Sequence, residues 1–461
     1  MDNKNYVSDI WELYDALRGA FFFKNIGFSV IRLVFLKYAS DNCLGAYTRE
    51  EMQDYIRVQR QFAARDVDGG PNAVRPVLML IDREYDLHHL IESTINDYAR
   101  ELFGLDESWN RKNATSRNFA RIMSVLSRMD LTDDLTTFEK GKAIVEVLIS
   151  NLNAHGETAK ASAPYYSSQE LNTIAKALLA VSDNETYLDF CSGVGTSTIS
   201  IVGDSKSRIF HCDVNEEMLS VSAMLLIMSG HSGFVLTNQD CLDTEERGFE
   251  INDNFVGEPV MGIAADKIFV DPPLGLKCRG NSLRESYYVA VQKAVATLKE
   301  GGKAIVAVPG GALFNSANKS KLFKEYLLGN GYIEAVVSLP ITWSSTAVTV
   351  NFLLVSKNRN SEIYFFNGCS EECKRLLGKE LKTKGPVQIS DNGLKWITDI
   401  LVNKHVVECV SRFVSYDEIL NKEFDIIPTQ YIQDRTIFED VSLSEIDAEL
   451  KSLYERLATF I

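Results

Sequence analysis

Tyr187-Leu188-Asp189-Phe190-Cys191-Ser192-Gly193-Val194-Gly195 is an apolar run that ends in an acid and passes into a glycine-rich turn. The run reads as a buried strand, and the residues behind it, 196–203, read as a helix. Gly193 and Gly195 let backbone come close to a ligand at the helix N-terminus. Strand, turn and helix in that order open an α/β unit. The third glycine of a dinucleotide fingerprint is missing, and Thr198 stands in its place, which argues against a nicotinamide dinucleotide.

Working outward, the alternation continues from 165 to about 366. Apolar, strand-like runs fall at 187–190, 208–214, 233–238, 267–271, 303–309, 333–339 and 349–355. Helical stretches separate most of them, at 168–181, 196–203, 215–229, 284–299 and 318–328. This pattern predicts a doubly wound, Rossmann-like α/β domain over 161–366 with a mostly parallel sheet. The short link between the last two runs predicts an antiparallel pair there.

Several of these strands end in chemistry. The second closes on Asp213, 24 residues after Asp189, where a carboxylate can accept both hydroxyls of a ribose. The third ends at Gln239-Asp240, where an acid can accept from an adenine amino group. The fourth ends in Asp271-Pro272-Pro273-Leu274. Two prolines give up two backbone donors and stiffen the turn. They aim the Asp271 carboxylate and the Pro272 carbonyl beyond the sheet edge, where open α/β sheets bind ligands. A pair of acceptors suits an exocyclic amine, whose hydrogens they hold while its lone pair is directed outward. Upstream, Pro164-Tyr165-Tyr166-Ser167-Ser168 precedes the first helix of the domain, and its rings fit the wall of a cofactor site or the core equally well. Together these features describe an S-adenosylmethionine site beside an amine-holding motif.

The 461 residues leave room for two or three domains, with 45% hydrophobic and 24% charged residues. Residues 1–160 read as helical. Ile10-Trp11-x-Leu13-Tyr14-x-x-Leu17 and Val30 to Ala39 have helical spacing, and further helices are expected at 87–103, 116–128 and 137–153. Asp66 to Asn72 reads as a loop. Residues 367–461 form a mixed, acidic extension. In it Ser442-x-x-Glu445 reads as a capping box before Ile446, Leu450, Leu453 and Leu457. That predicts an amphipathic helix over about 442–459, packed either on its own chain or on a partner subunit.

No 18-residue apolar run is present, and the first residues do not resemble a signal peptide, so a cytoplasmic location away from membranes is expected. Eight scattered cysteines and six histidines show no metal-ligand spacing and read as reduced thiols without a metal. The net charge of −15 makes a poor non-specific binder of phosphate backbone, so nucleic acid as substrate calls for a basic partner.

Over nearly its whole length the chain resembles the modification (methyltransferase) subunits of type I restriction-modification systems. These are N6-adenine DNA methyltransferases. Ile10-Trp11 with Leu17-Arg18-Gly19, and Phe35-Leu36-Lys37-Tyr38-Ala39-Ser40-Asp41, look like that family's helical N-terminal domain. Pro164 to Ser168 resembles its cofactor segment, Asp189 to Gly195 its glycine loop, Asp213-Val214-Asn215 and Asp240 its acids. Gly301-Gly302-Lys303-Ala304, Val308 to Phe314, Ile333 to Pro340 and Phe424 to Ile432 are close to characteristic family stretches. The resemblance implies S-adenosylmethionine as cofactor, with Asp271, Pro272, Pro273 and Leu274 as the catalytic motif. Pro164, Tyr165, Tyr166, Ser167, Ser168, Asp189, Gly193, Val194, Gly195, Asp213 and Asp240 would line the cofactor. It also implies DNA as substrate, a specificity subunit, commonly a second modification subunit, and in some systems a restriction nuclease subunit.

The chain departs from the family at several points. Asp271 replaces Asn and Leu274 replaces Phe or Tyr in the catalytic motif. Ser167-Ser168 stands for Thr-Pro, Phe190 for Pro and Val194 for Thr. Trp343, Tyr287 and Tyr288 are candidates to replace the lost aromatic. Besides DNA adenine methylation, two readings stay open: a non-catalytic scaffold or cofactor-sensing subunit of a restriction or anti-phage complex, and a methyltransferase acting on RNA or a protein glutamine.

Overall fold

The computed structural model describes residues 4–18, 26–64, 70–95, 115–155, 167–243, 259–278, 283, 285–342, 348–382 and 388–433. One sheet runs through the molecule. Its strands are β1 (Thr186–Asp189), β2 (Arg208–Asp213), β3 (Phe234–Asn238), β4 (Ala265–Val270), β5 (Leu298–Pro309), β6 (Ile333–Thr342), β7 (Thr349–Ser356), β8 (Glu362–Asn367) and β11 (Ser411–Ser415). β9 (Leu381–Lys382) and β10 (Gln388–Ile389) form a separate two-residue ribbon. The main order is β11-β8-β6-β7-β5-β4-β1-β2-β3. β7 lies antiparallel between β5 and β6, β11 is antiparallel to β8, and the other neighbours are parallel. The expected antiparallel pair of β6 and β7 is present.

The central strands are buried on both faces, which is why they read as apolar runs rather than as alternating ones. Successive residues still point to opposite sides. Ile305 and Ala307 of β5 join one apolar cluster, and Ala304, Val306 and Val308 join another. The first face is covered by helices Gln169–Leu179, Glu216–Met228 and Asp391–Asn403, and the second by Ser286–Thr297 and Asn318–Gly329.

The N-terminal helices share the first of these clusters, so no apolar gap separates them from the sheet. Helix Ile26–Asn42 is buried along almost all of its length and lies against Glu216–Met228, with Arg32 paired to Glu217 at 2.8 Å. Helix Glu139–His155 begins in the same contact. A Cβ on Gly141 would lie 2.0 Å from the Met228 carbonyl oxygen. Tyr85 and Phe234 stack 6.0 Å apart, and Lys142 pairs with Asp204 at 2.6 Å. The Tyr38 to Asn42 stretch ties the turn at 129–141 in place. Asp41 accepts from the Leu131 N–H, Asn42 from the Asp133 N–H, and Asp133 caps the next helix through the Lys140 and Gly141 N–H groups.

Two expectations change. The loop placed at 66–72 ends sooner, because helix Gly70–Glu84 takes in Gly70, Pro71 and Asn72. Proline is tolerated in a first helical turn, where its missing N–H would lack a partner anyway. The extension drawn from 367 is not separate: the cut falls within β8, and β11 pairs with β8 in the same sheet. The segment 424–432 also returns to the sheet. The Ile426 N–H donates to the Leu313 carbonyl at 3.2 Å, and the Tyr431 and Phe365 rings meet at 4.8 Å. The helix expected at 442–459 lies outside the described residues. Among the described residues, no helix is long and apolar enough to cross a membrane.

Candidate functional site

The C-terminal ends of β1, β2, β3 and β4 open on one cavity of about 320 Å³. It lies at the crevice where the strand order reverses between β1 and β4, the switch point of an open α/β sheet.

The β1 turn forms its floor. Gly193 and Gly195 both have positive φ, +51° and +77°. Only Gly195 is also crowded, since a Cβ there would meet Ser222 Oγ at 2.5 Å. Gly193, Val194, Thr196 and Ser197 line the cavity, whereas Gly195 turns inward, away from it. Asp189 sits beneath the turn, 2% exposed, with its Oδ1 accepting from the Cys191 N–H at 3.1 Å. Burial raises its pKa to about 8, and the nearby Asp213 and Asp271 carboxylates push the same way against the Cys191 N–H.

Asp213 joins the ends of β1 and β2. Its Oδ2 accepts from the Gly193 N–H at 2.8 Å and its Oδ1 from the Asn215 N–H at 2.9 Å. Asn215 in turn caps helix Glu216–Met228 through the Glu217 and Met218 N–H groups. That explains the Asp-Val-Asn triplet: one residue for the site, one to cap the helix behind it. Val214 between them is 69% exposed and offers an apolar face at the cavity. After β3, Asp240 Oδ1 takes the Leu242 and Asp243 N–H groups at 2.9 and 3.0 Å.

At the end of β4, Asp271 is half-buried and its Oδ2 accepts from the Ser167 hydroxyl at 2.6 Å. The Pro273 carbonyl accepts from the Ser286 hydroxyl at 2.7 Å, so the turn is held from both sides. Leu274 is half-buried and packs on the core, while Leu276 is exposed, and both line the cavity.

Asp189, Gly193, Val194, Asp213, Asp240, Ser167 and Asp271 to Leu274 therefore meet around one cavity. Ser168 does not line it and instead caps helix Gln169–Leu179 by accepting from the Leu171 N–H. Pro164, Tyr165 and Tyr166 lie outside the described residues, as does Trp343. Tyr287 and Tyr288 do not line the cavity either. They pack on each other at 4.7 Å, and the buried Tyr288 hydroxyl donates to the Ala312 carbonyl. The described rings at the cavity are Phe190 and Phe269, both buried. Cys191, Val214, Asn215 and Gln239 line the cavity too; they stood in the quoted stretches without a role of their own, and Met218, also at the cavity, was not singled out. Only Asn215 carried a signal, as a capping residue before an apolar helix.

The lining contains four aspartates, of which Asp213, Asp240 and Asp271 supply carboxylates while buried Asp189 keeps its proton at neutral pH, and among the described residues no lysine, arginine or histidine. Such a cavity favours a cationic ligand and has no side chain to neutralise a pyrophosphate. Among the described residues no group of side chains is arranged to hold a metal ion.

Comparison with known proteins agrees with the fold. The N-6 DNA Methylase family matches residues 142–440. A type I restriction enzyme MpnII methylase subunit of Mycoplasma pneumoniae is 20% identical over 371 residues, 73% of this chain and 65% of that protein. A type I restriction enzyme MjaVIII methylase subunit of Methanocaldococcus jannaschii is 23% identical over 409 residues, 80% of this chain and 67% of that protein. The chain thus spans about two thirds of the length of these relatives. The crystal structure of a type I restriction-modification system methyltransferase subunit from Streptococcus thermophilus superposes with a TM-score of 0.68 at 19% identity, covering 94% of this chain and 100% of that one. With most of its length matched, the chain belongs to the N-6 DNA methylase family.

Proposed function

We propose that the chain is the modification subunit of a type I restriction-modification system. It would transfer a methyl group from S-adenosylmethionine to N6 of adenine in DNA, at sites chosen by a specificity subunit. The observation that carries this reading is the acidic cavity, lined by the Asp213, Asp240 and Asp271 carboxylates and, among the described residues, by no cationic side chain, opening beside Asp271-Pro272-Pro273. S-adenosylmethionine supplies a methyl group made electrophilic by a sulfonium, and its positive charges suit these walls. Asp213, already oriented by two backbone donors, would accept from the ribose hydroxyls. Val214 would lie along the adenine and Asp240 would accept from its amino group. The Gly193 to Ser197 turn would hold the methionine end.

At the target base, Asp271 and the Pro272 carbonyl would accept the two amine hydrogens and turn the nitrogen lone pair toward the cavity. Ser167 holds one carboxylate oxygen of Asp271 and so fixes which way the other faces. Positive charge develops on that nitrogen as its new bond to carbon forms. A fixed carboxylate stabilises it more than the family's neutral amide does. Orientation supplies most of the remaining rate.

Leu274 supports a second reading, an impaired member that serves as a scaffold or cofactor sensor. The motif lacks the ring that would stack on an extruded adenine, and neither Tyr287 nor Tyr288 lines the cavity to replace it. Stacking contributes about 1–3 kcal/mol per base. Its loss lowers the flipped population by about 10- to 100-fold. The partners on either reading are DNA, the specificity subunit, a second modification subunit and, in a restricting system, a nuclease subunit. A charge of −15 leaves DNA contact largely to those partners.

The test uses the chain purified with the specificity subunit from its own operon, labelled S-adenosylmethionine and unmethylated DNA. Label on N6 of adenine that disappears in Asp271→Ala is the expected result, and Leu274→Phe should raise the rate. No label from a complex that assembles and binds DNA would reject methyl transfer. Gain of activity in Leu274→Phe alone would then mark this as an impaired member.

A further inference from the structure

His211 lies within β2, fully buried, and pairs in register with Asp189 of β1. Both ring nitrogens are engaged. Nε2 is 2.6 Å from the Thr198 hydroxyl and Nδ1 is 2.9 Å from the Ser222 hydroxyl. Burial holds the ring neutral, with its pKa lowered to about 3, so one nitrogen donates and the other accepts. Thr198 belongs to helix Thr196–Val202 and Ser222 to helix Glu216–Met228, the two helices that start at the cavity. Gly195 closes on the same group: a Cβ there would lie 2.5 Å from Ser222 Oγ and 3.1 Å from His211 Cε1. The Thr198 hydroxyl also acts on Asp189, as a hydrogen-bond partner that opposes the effect of burial. Thr198 is the residue standing where a dinucleotide fingerprint has its third glycine.

An apolar side chain of similar size would fill this space without the cost of burying an imidazole. A fully partnered buried polar group instead specifies one arrangement of the elements around it. Here those elements are β1, β2 and both helices.

We propose that His211, bridged to Thr198 and Ser222, is a positioning residue that locks the Gly193–Gly195 turn and Asp189 in their ligand-binding geometry. The ligand concerned follows from the reading of the cavity as an S-adenosylmethionine site. His211 touches no ligand itself, since it does not line the cavity. Its effect passes through the turn and through Asp213, two residues further along β2, which accepts from the Gly193 N–H.

Three full-length variants separate the two bonds. His211→Gln keeps a polar atom near Nε2 and so the Thr198 side. His211→Asn keeps one near Nδ1 and so the Ser222 side. His211→Phe keeps neither. Amide hydrogen exchange over residues 189–198 is measured without ligand. Affinity for sinefungin, and KM and kcat for S-adenosylmethionine, are measured well below Tm. His211→Phe and His211→Asn should speed exchange in the turn and weaken sinefungin binding about tenfold, an effect of about 1.4 kcal/mol. KM should rise while kcat holds within about twofold, the signature of lost ground-state binding. His211→Gln should recover most of the affinity. Unchanged exchange in the turn of His211→Phe would overturn the proposal. So would exchange that rises equally in β5, β6 and β7, because His211 would then be ordinary core packing. If wild type bound neither ligand but the exchange response persisted, the cofactor reading would fall and the positioning role would stand.

Discussion

Asp189 carries more of the site's electrostatics than its place under the turn suggests. Its carboxyl is buried with two other carboxylates nearby, and its pKa rises to about 8. In the unfolded chain an aspartate titrates near 4. Between these values the folded protein holds a proton that the unfolded chain has released, so stability falls as pH rises across the window. The slope reaches at most about 1.4 kcal/mol per pH unit. Thermal melts of the ligand-free protein should therefore show Tm dropping from pH 5 to pH 8, and Asp189→Asn should flatten that trend. A trend of the same slope in the variant would mean that another group sets it. Much of this scale was legible in the chain. Asp189, Asp213, Asp240 and Asp271 stood out because each ends an apolar run. His211 did not, because a lone histidine inside a strand looks like any half-polar core residue. Its two hydroxyl partners lie 11 and 13 positions away on separate helices. Ser167 was noticed as a cofactor residue, but its bond to Asp271 spans 104 positions and no local pattern records it.

At the scale of elements, the glycine turn and the helices on either side of it form one device. Gly195 must be left-handed and must also leave room for Ser222. Gly195→Ala places a β-carbon in a conformation that costs about 1–2 kcal/mol for an L-residue. The added atom also presses Ser222 off His211. Cofactor affinity should fall about tenfold or more, by about 1.4 kcal/mol per decade, in a titration calorimeter. Gly193→Ala shares the backbone cost but meets nothing closer than 4.0 Å, so it should be the milder of the two. An equal loss in both would show that φ alone matters. The strands β1 to β7 were readable because a buried strand leaves an unbroken apolar run. Helices Arg49–Ala64 and Gly70–Glu84 were not separately readable. The first is strongly polar, and the second starts in an Asp-Gly-Gly-Pro stretch that imitates a loop. β11 is five residues long with exposed positions within it, too short for its period to register.

Across the whole molecule, the helical N-terminal region and the sheet behave as one packed body. The contact that joins them leaves no local trace, because it rests on the absence of a side chain. At Gly141 a Cβ would lie 2.0 Å from the Met228 carbonyl oxygen, and backbone cannot swing aside as a side chain can. Gly141→Ala should force helix Glu139–His155 off helix Glu216–Met228, with an overpacking cost of about 1–3 kcal/mol. A lower Tm with faster proteolysis between the two regions would be the sign of it. If stability were unchanged, the two helices would have to sit further apart than they do here.

The strand order has a further consequence, for synthesis. β1 lies between β2 and β4, yet β3 is made before β4. While the ribosome is still producing the stretch up to residue 264, one edge of β1 has no neighbour, with Tyr187 and Leu188 along it. Unpaired apolar edges recruit strands from other chains. The nascent protein is thus most open to aggregation after β1 to β3 have emerged and before the Asp-Pro-Pro strand arrives. Delivery of that strand both completes the cavity and closes the edge.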